Sequence, residues 1–217
     1  DYVRTEMGRA DRISQEGDQK RGNTIGFALT VLQRRLASSP YAIYRSLVRR
    51  KERLTAQLAE FRDIARGDPQ GDRDITASLP RIDLKDAVDQ DFEDLSPVEQ
   101  ARLEEDVDEV VSMATAARTI PELEAEIATL GELVDVADDV RKRGEDKKWV
   151  QLRRILDEEV LSTTSSGDPR KLIIFTEHRD TLDYLHGKIG DMLGDPEAVV
   201  VIHGGLTHPQ RKTIQEK

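Results

Sequence analysis

The sequence holds no cysteine. Disulfides, thiolate nucleophiles and cysteine–zinc sites are therefore excluded. Aromatic residues make up only 4%, so a core must be built from Leu, Val, Ile and Ala. No apolar run approaches the roughly 20 residues that span a bilayer, and no signal peptide is visible. A cytoplasmic address without membrane contact is the expectation. The four histidines, at 178, 186, 203 and 208, do not form HExxH, the spacing that sets two imidazoles on one helix face for zinc. No metal site is expected. There is also no GxxxxGK[ST] loop and no DEAH-like acidic strand end. The phosphate cradle and the magnesium ligand of nucleotide hydrolysis are both missing.

What the chain does have is charge. Charged residues reach 35% of the 217 positions, against a usual ~25%, which favours long solvated helices. The net charge of -10 is unevenly spread: Asp83 to Glu109 carries 12 acids and 2 bases, while Asp1 to Gly67 carries 14 bases and 8 acids. A basic face is compatible with the acidic total. Arg34, Arg35, Arg45, Arg49, Arg50, Lys51 and Arg53 are its centre. Several guanidinium groups on one surface neutralise a nucleic-acid backbone; equally, a charge run can simply solvate a helix or pair with acids. No aromatic residues interleave there to stack bases. The acidic run has two readings as well, ordinary solvation or cover over a basic surface in imitation of nucleic acid.

Periodicity predicts a mainly α chain. A short helix is expected from about Val3 to Ser14. Asn23 caps the next, with Ile25, Leu29, Leu32 and Leu36 on one face. Ser39 and Pro40 open a third, in which Ile43, Leu47, Leu54, Leu58, Phe61 and Ala65 form one stripe ending at Gly67. Capping boxes at Ser96–Glu99 and Thr119–Glu122 open two helices, to about Arg118 and Arg143, that form an αα-hairpin. A further helix runs from Asp146 to Leu161, with Trp149 as a packing anchor.

The last stretch changes period. Leu172–Phe175 and Val199–Ile202 are short, largely β-branched apolar runs, suited to strands buried on both faces. Leu182, Leu185, Ile189 and Leu193 give a crossover helix its inward face. The reading is a truncated α/β unit with about two parallel strands, too few for a stable open sheet alone.

The wording of that unit, IIFTEHRDTLDYL then VIHGGLTHPQR, resembles the start of the second RecA-like lobe of superfamily 2 helicases in the Swi/Snf-type branch. DYVRTEMGRADRI, NTIGFALTVLQRRLASSPYAIYRSL and KKWVQLRRILDE look like bacterial helicase-like ATPases of the same branch, in the family's order. These pieces cover about half the chain. Periodicity and composition divide the chain into a basic helical arm over 1–67, an acidic linker over 68–96 and the αα-hairpin over 97–144, and the resemblance makes 145–217 an incomplete second RecA-like lobe. It also implies an internal piece of an ATP-dependent DNA or RNA translocase, consistent with a start that is not Met. ATP and Mg²⁺ would be held mostly by residues outside the chain, which alone should not hydrolyse ATP. The expected partners are DNA or RNA, the missing first lobe and a protein that meets the helical region.

Carried over by resemblance, the nucleic-acid contacts are Thr176, His178 and Arg179 after the first strand, and His203, Gly204, Gly205 and Arg211 after the second. Arg49 and Arg50 join them from the basic cluster. The plainer readings are a helix cap for His178, solvation for Arg179, a turn for the two glycines and helix anchoring for Arg211. The alternative function is a helical protein–protein interaction module with no affinity for nucleic acid.

Overall fold

The computed structural model describes residues 1–66, 75, 97–143, 146–160 and 171–215. Helix α1 spans Tyr2–Gln15, α2 Gln19–Ser38 and α3 Pro40–Arg66. Helices α4 (Pro97–Met113), α5 (Ile120–Arg143), α6 (Lys147–Val160), α7 (Arg179–Leu193) and α8 (His208–Gln215) follow, with a 3-10 turn at Pro196–Ala198.

Local chemistry sets the breaks. Gly17 has φ +110°, a left-handed conformation that only glycine adopts cheaply, and it turns the chain between α1 and α2. Asp18 then accepts a hydrogen bond from the Arg21 N–H at 3.1 Å, so α2 starts before the expected Asn23. Ser39 is extended at φ -157°, ψ 155°, and its Oγ accepts from the Ala42 N–H at 3.1 Å. This cap opens the 27-residue α3.

The core has two parts. Ala10 and Ile13 of α1 pack with Ile25, Leu29 and Leu32 of α2 and with Val110 and Val111 of α4. Leu47, Leu54, Leu58 and Phe61 of α3 pack with Leu123 and Leu130 of α5 and with Ala117. Each buried Leu or Ile contributes roughly 1.5–3 kcal/mol. Among the described residues, neither cluster takes in one beyond Ala137.

Helix α4 stops at Met113, not near Arg118, and two arginines take up the Val111 carbonyl and those of the residues that follow the helix. Arg50 donates to Val111 O at 2.6 Å and to Ala114 O at 2.5 Å. Arg21 donates to Thr115 O at 3.1 Å and to Ala117 O at 2.8 Å. These bonds hold 114–118 out of the helix while burying Ala114, Ala116 and Ala117.

The expected α/β unit with two parallel strands is not formed: the described residues contain no β-strand. Residues 171–176 and 199–203 carry no helix or strand, and Val199 is extended at φ -114°, ψ 115°. The apolar runs are uncovered, with Ile173 76% and Phe175 90% exposed. An apolar β-branched run expresses a preference for extended backbone; a strand also needs a neighbour to complete its ladder. Neither run finds one among the described residues. The acidic linker 68–96, apart from Ile75, and residues 161–170, read from the sequence as the end of a helix and a loop over 162–169, lie outside the described residues. Ile75 is buried, and its N–H donates to Arg118 O at 2.9 Å.

Candidate nucleic-acid interface

The basic cluster and the C-terminal segment meet at one junction. Arg34 and Arg35 leave the last turns of α2, and Arg49 leaves the middle of α3. Facing them is the start of α7, whose N-cap is His178. Both nitrogens of the Arg49 fork contact Asp180, at 2.5 and 3.3 Å. Asp108 of α4 lies 3.6 Å from Arg49 and also pairs with Arg35. Arg34 reaches Glu177 at 3.5 Å with both side chains 65% exposed. Thr181 Oγ1 sits 2.8 Å from Ser38 Oγ and 2.9 Å from Ser39 Oγ, so three hydroxyls close the joint.

Burial is the largest influence on Arg49 and works against its charge. The Asp180 hydrogen bond and the charges of Asp108 and Asp180 outweigh it and hold the guanidinium above its ordinary range. Burial pushes the His178 imidazole down, and its Nε2 is buried without a hydrogen-bond partner. Arg35 Nε is in the same condition.

The second turn lies close by. Arg211 donates to His203 O at 3.3 Å and to Gly204 O at 3.5 Å, and the Gly205 N–H donates to His203 Nδ1 at 3.1 Å. Burial lowers the His203 pKa, helped by the positive charges of Arg179 and Arg211. Arg179 itself bonds Asp183 at 3.1 Å. Arg34, Arg49, Thr176, His178, Arg179, His203, Gly204, Gly205 and Arg211 thus belong to one region.

Arg50 does not. It is 1% exposed, and its guanidinium is committed to Val111, Ala114, Glu126 and Tyr2. Adjacent residues on a helix point about 100° apart, so Arg49 faces α7 while Arg50 enters the core.

Thr176 borders a cleft of about 370 Å³ between the end of α2, α6 and α7, which Trp149, Phe175 and Tyr184 also line. Tyr184 stacks on Tyr41 with centroids 5.9 Å apart and donates to Asp146 at 3.2 Å. Burial first, then the Asp146 charge, pushes its phenol up to about 12. Lys188 Nζ lies 5.9 Å from the Trp149 ring.

No family model, curated protein or solved structure matches this chain.

Among the described residues no three His, Asp or Glu side chains are grouped to hold a metal ion. No described helix is long and apolar enough to cross a membrane. The chemistry on offer is ionic: planar guanidinium forks that bind carboxylate now and are equally matched to phosphate. Sequence reasoning did not single out Asp108, Asp180 or Thr181. Asp180 reads locally as an acid complementing a helix N-terminus, and nothing in its neighbourhood signals an arginine 131 positions away.

Proposed function

We propose that this chain is the helical part of an ATP-dependent nucleic-acid translocase, acting in the cytoplasm, and that it contacts a strand without hydrolysing nucleotide itself. ATP and Mg²⁺ belong, in this reading, to residues outside the chain. The observation that supports it best is convergence. The Arg34–Arg49 cluster meets the Thr176–Arg179 loop and the start of α7 from more than a hundred positions away, and the His203–Gly205 turn with Arg211 lies within the electrostatic reach of Arg179. Phosphates on a strand crossing that junction would meet several cationic groups, and release of their counterions makes such binding salt-dependent. The order of the family-like segments along the chain points the same way.

The test is anisotropy of a short fluorescent single-stranded oligonucleotide, as DNA and as RNA, across a salt series. Binding should weaken steeply with salt. Arg34→Glu with Arg49→Glu should reduce the log–log slope by roughly 1.4, at about 0.7 per phosphate contact of a single strand. Absence of binding at low salt sinks the reading, as does robust ATP turnover by the chain alone.

A second reading, a protein-interaction module, is favoured by the uncovered Ile173 and Phe175. It requires that the oligonucleotide fail to bind under every condition.

A further inference from the structure

Among the described residues, the contacts between α7 and the helical body are mostly polar, although Ile189 of α7 and Leu156 of α6 are buried. Both hydrophobic clusters, among the described residues, end by Ala137. What ties α7 to α2 and α3 is the Arg49–Asp180 pair at 2.5 Å, the Ser38–Thr181 and Ser39–Thr181 hydroxyl contacts, the exposed Arg34–Glu177 pair and one stacked tyrosine pair. The exposed Arg34–Glu177 pair is worth little in water, while the part-buried Arg49–Asp180 pair holds only as long as each charge keeps a partner, which a phosphate can replace.

The acids in this joint sit where a phosphate would. Asp180 engages both ends of the Arg49 fork, the bidentate geometry that guanidinium also offers phosphate. Asp108 occupies Arg35 and backs Arg49. A strand cannot use these arginines while the carboxylates hold them. Arg35 Nε, buried and unpartnered, is a donor the carboxylates leave unsatisfied. A phosphate group brings more acceptor oxygens than a carboxylate to such a cluster.

We propose that Asp180, backed by Asp108, is an intramolecular mask over the Arg35–Arg49 phosphate site, and that a nucleic-acid strand displaces it and frees the α7 segment from the helical body. This rests on the nucleic-acid reading above. It adds a switch: occupancy of the arginines and docking of α7 exclude one another. Affinity for the strand is lowered by the free energy of opening the mask, and removing the mask raises it.

The chain carries its own reporter. Trp149 is its single tryptophan, and it lies in the cleft edged by α7, beneath Lys188. Undocking of α7 exposes the indole to water. The hydroxyls of Ser38 and Thr181, 2.8 Å apart, mark a place for a staple, and there is no native cysteine to mispair.

The experiment uses the whole chain at constant ionic strength and a short single-stranded oligonucleotide as probe. It compares the native chain, Asp180→Asn, and the Ser38→Cys/Thr181→Cys pair, oxidised and reduced. Expected results are a red shift of Trp149 emission when the native chain binds, binding about three- to tenfold tighter for Asp180→Asn, and weaker binding with no emission shift for the oxidised pair, restored by reductant. If native, Asp180→Asn and stapled forms bind equally, the mask is overturned and the nucleic-acid reading survives. If no form binds, including Asp180→Asn, the nucleic-acid reading falls and the mask with it. If polyglutamate shifts the emission and the oligonucleotide does not, the displacing partner is an acidic protein and the proposal is overturned in that form.

Discussion

Arg50 Nη2 and Glu126 Oε1 face each other at 2.8 Å with both side chains 1% exposed. The pair is completed on every side. Tyr2 donates to Glu126 Oε1 at 2.8 Å and accepts from Arg50 Nε at 3.0 Å, while Thr115 donates to Glu126 Oε2 at 2.5 Å. Burial drives the Tyr2 phenol well above its usual range, and the Tyr2 and Glu126 contacts keep Arg50 charged against its own burial. A buried ion pair is stable only when its remaining donors and acceptors are satisfied, and this one joins α1, α3 and α5.

Arg50→Ala therefore strands a carboxylate and two carbonyls. It should cost about 3–5 kcal/mol, read as a lowered urea midpoint. Replacing both members, as Arg50→Met with Glu126→Leu, should cost less than the two single changes combined. Additive losses would show that the two residues are not coupled.

Helices α1 and α2 cross at Gly22. A Cβ there would lie 1.9 Å from Ser14 Oγ and 2.6 Å from the Ala10 carbonyl oxygen. The hydroxyl can rotate away; the backbone oxygen cannot. Gly22→Ala should destabilise by about 1–3 kcal/mol, and adding Ser14→Ala should recover only part of the loss. A Gly22→Ala chain as stable as the parent would contradict this crossing.

His178 makes stability depend on pH below neutrality. Burial holds its folded pKa under the ordinary 6.5, with Glu177, Arg35, Arg34 and Asp108 as the charged neighbours. The unfolded chain takes up that proton first as pH falls, so the neutral ring's contribution is present above 6.5 and is lost below it. The urea midpoint, followed by Trp149 emission, should drop between neutral pH and a pH about one unit below 6.5. His178 makes no side-chain capping hydrogen bond, so His178→Asn, a residue suited to the N-cap, should flatten that dependence. A midpoint that rises on acidification has the wrong sign.

The uncovered runs predict an unusual tolerance. In a two-faced buried strand, Phe175→Asp would cost several kcal/mol, in line with about 3–5 for emptying a core Phe site. Here Phe175 is 90% exposed, so Ile173→Lys with Phe175→Asp should move the melting temperature little. The same change should lower binding of a hydrophobic dye. A large loss of stability would mean that these residues are buried in solution.

Much of the helical frame was legible because its signals are local. Ser39 before Pro40 marks a helix start, and Leu47, Leu54, Leu58 and Phe61 mark the face that α3 buries. What was not legible depends on distant partners. The end of α4 at Met113 is set by Arg50 and Arg21, which lie 61 to 96 positions away from the carbonyls they bind. The runs at 172–175 and 199–202 have strand composition, but pairing is a property of the neighbour as much as of the run. At the junction, the basic cluster was visible as charge. Its partners Asp108 and Asp180 were not, and neither was the divergence of Arg49 and Arg50, since a charged residue on a helix reads as solvent-facing until a buried carboxylate is found for it.

Tyr2 and Ile43 pack against both hydrophobic clusters, and this binds their fates together. Neither cluster can come apart without uncovering side chains that the other needs. The region through Ala137 should thus absorb heat in a single calorimetric peak, its van't Hoff enthalpy equal to the measured one. The segment from Lys171 onward, outside both clusters, should show amide exchange orders of magnitude faster. One chain would then display two unfolding clocks, with the boundary falling between the helical body and the part that docks on it.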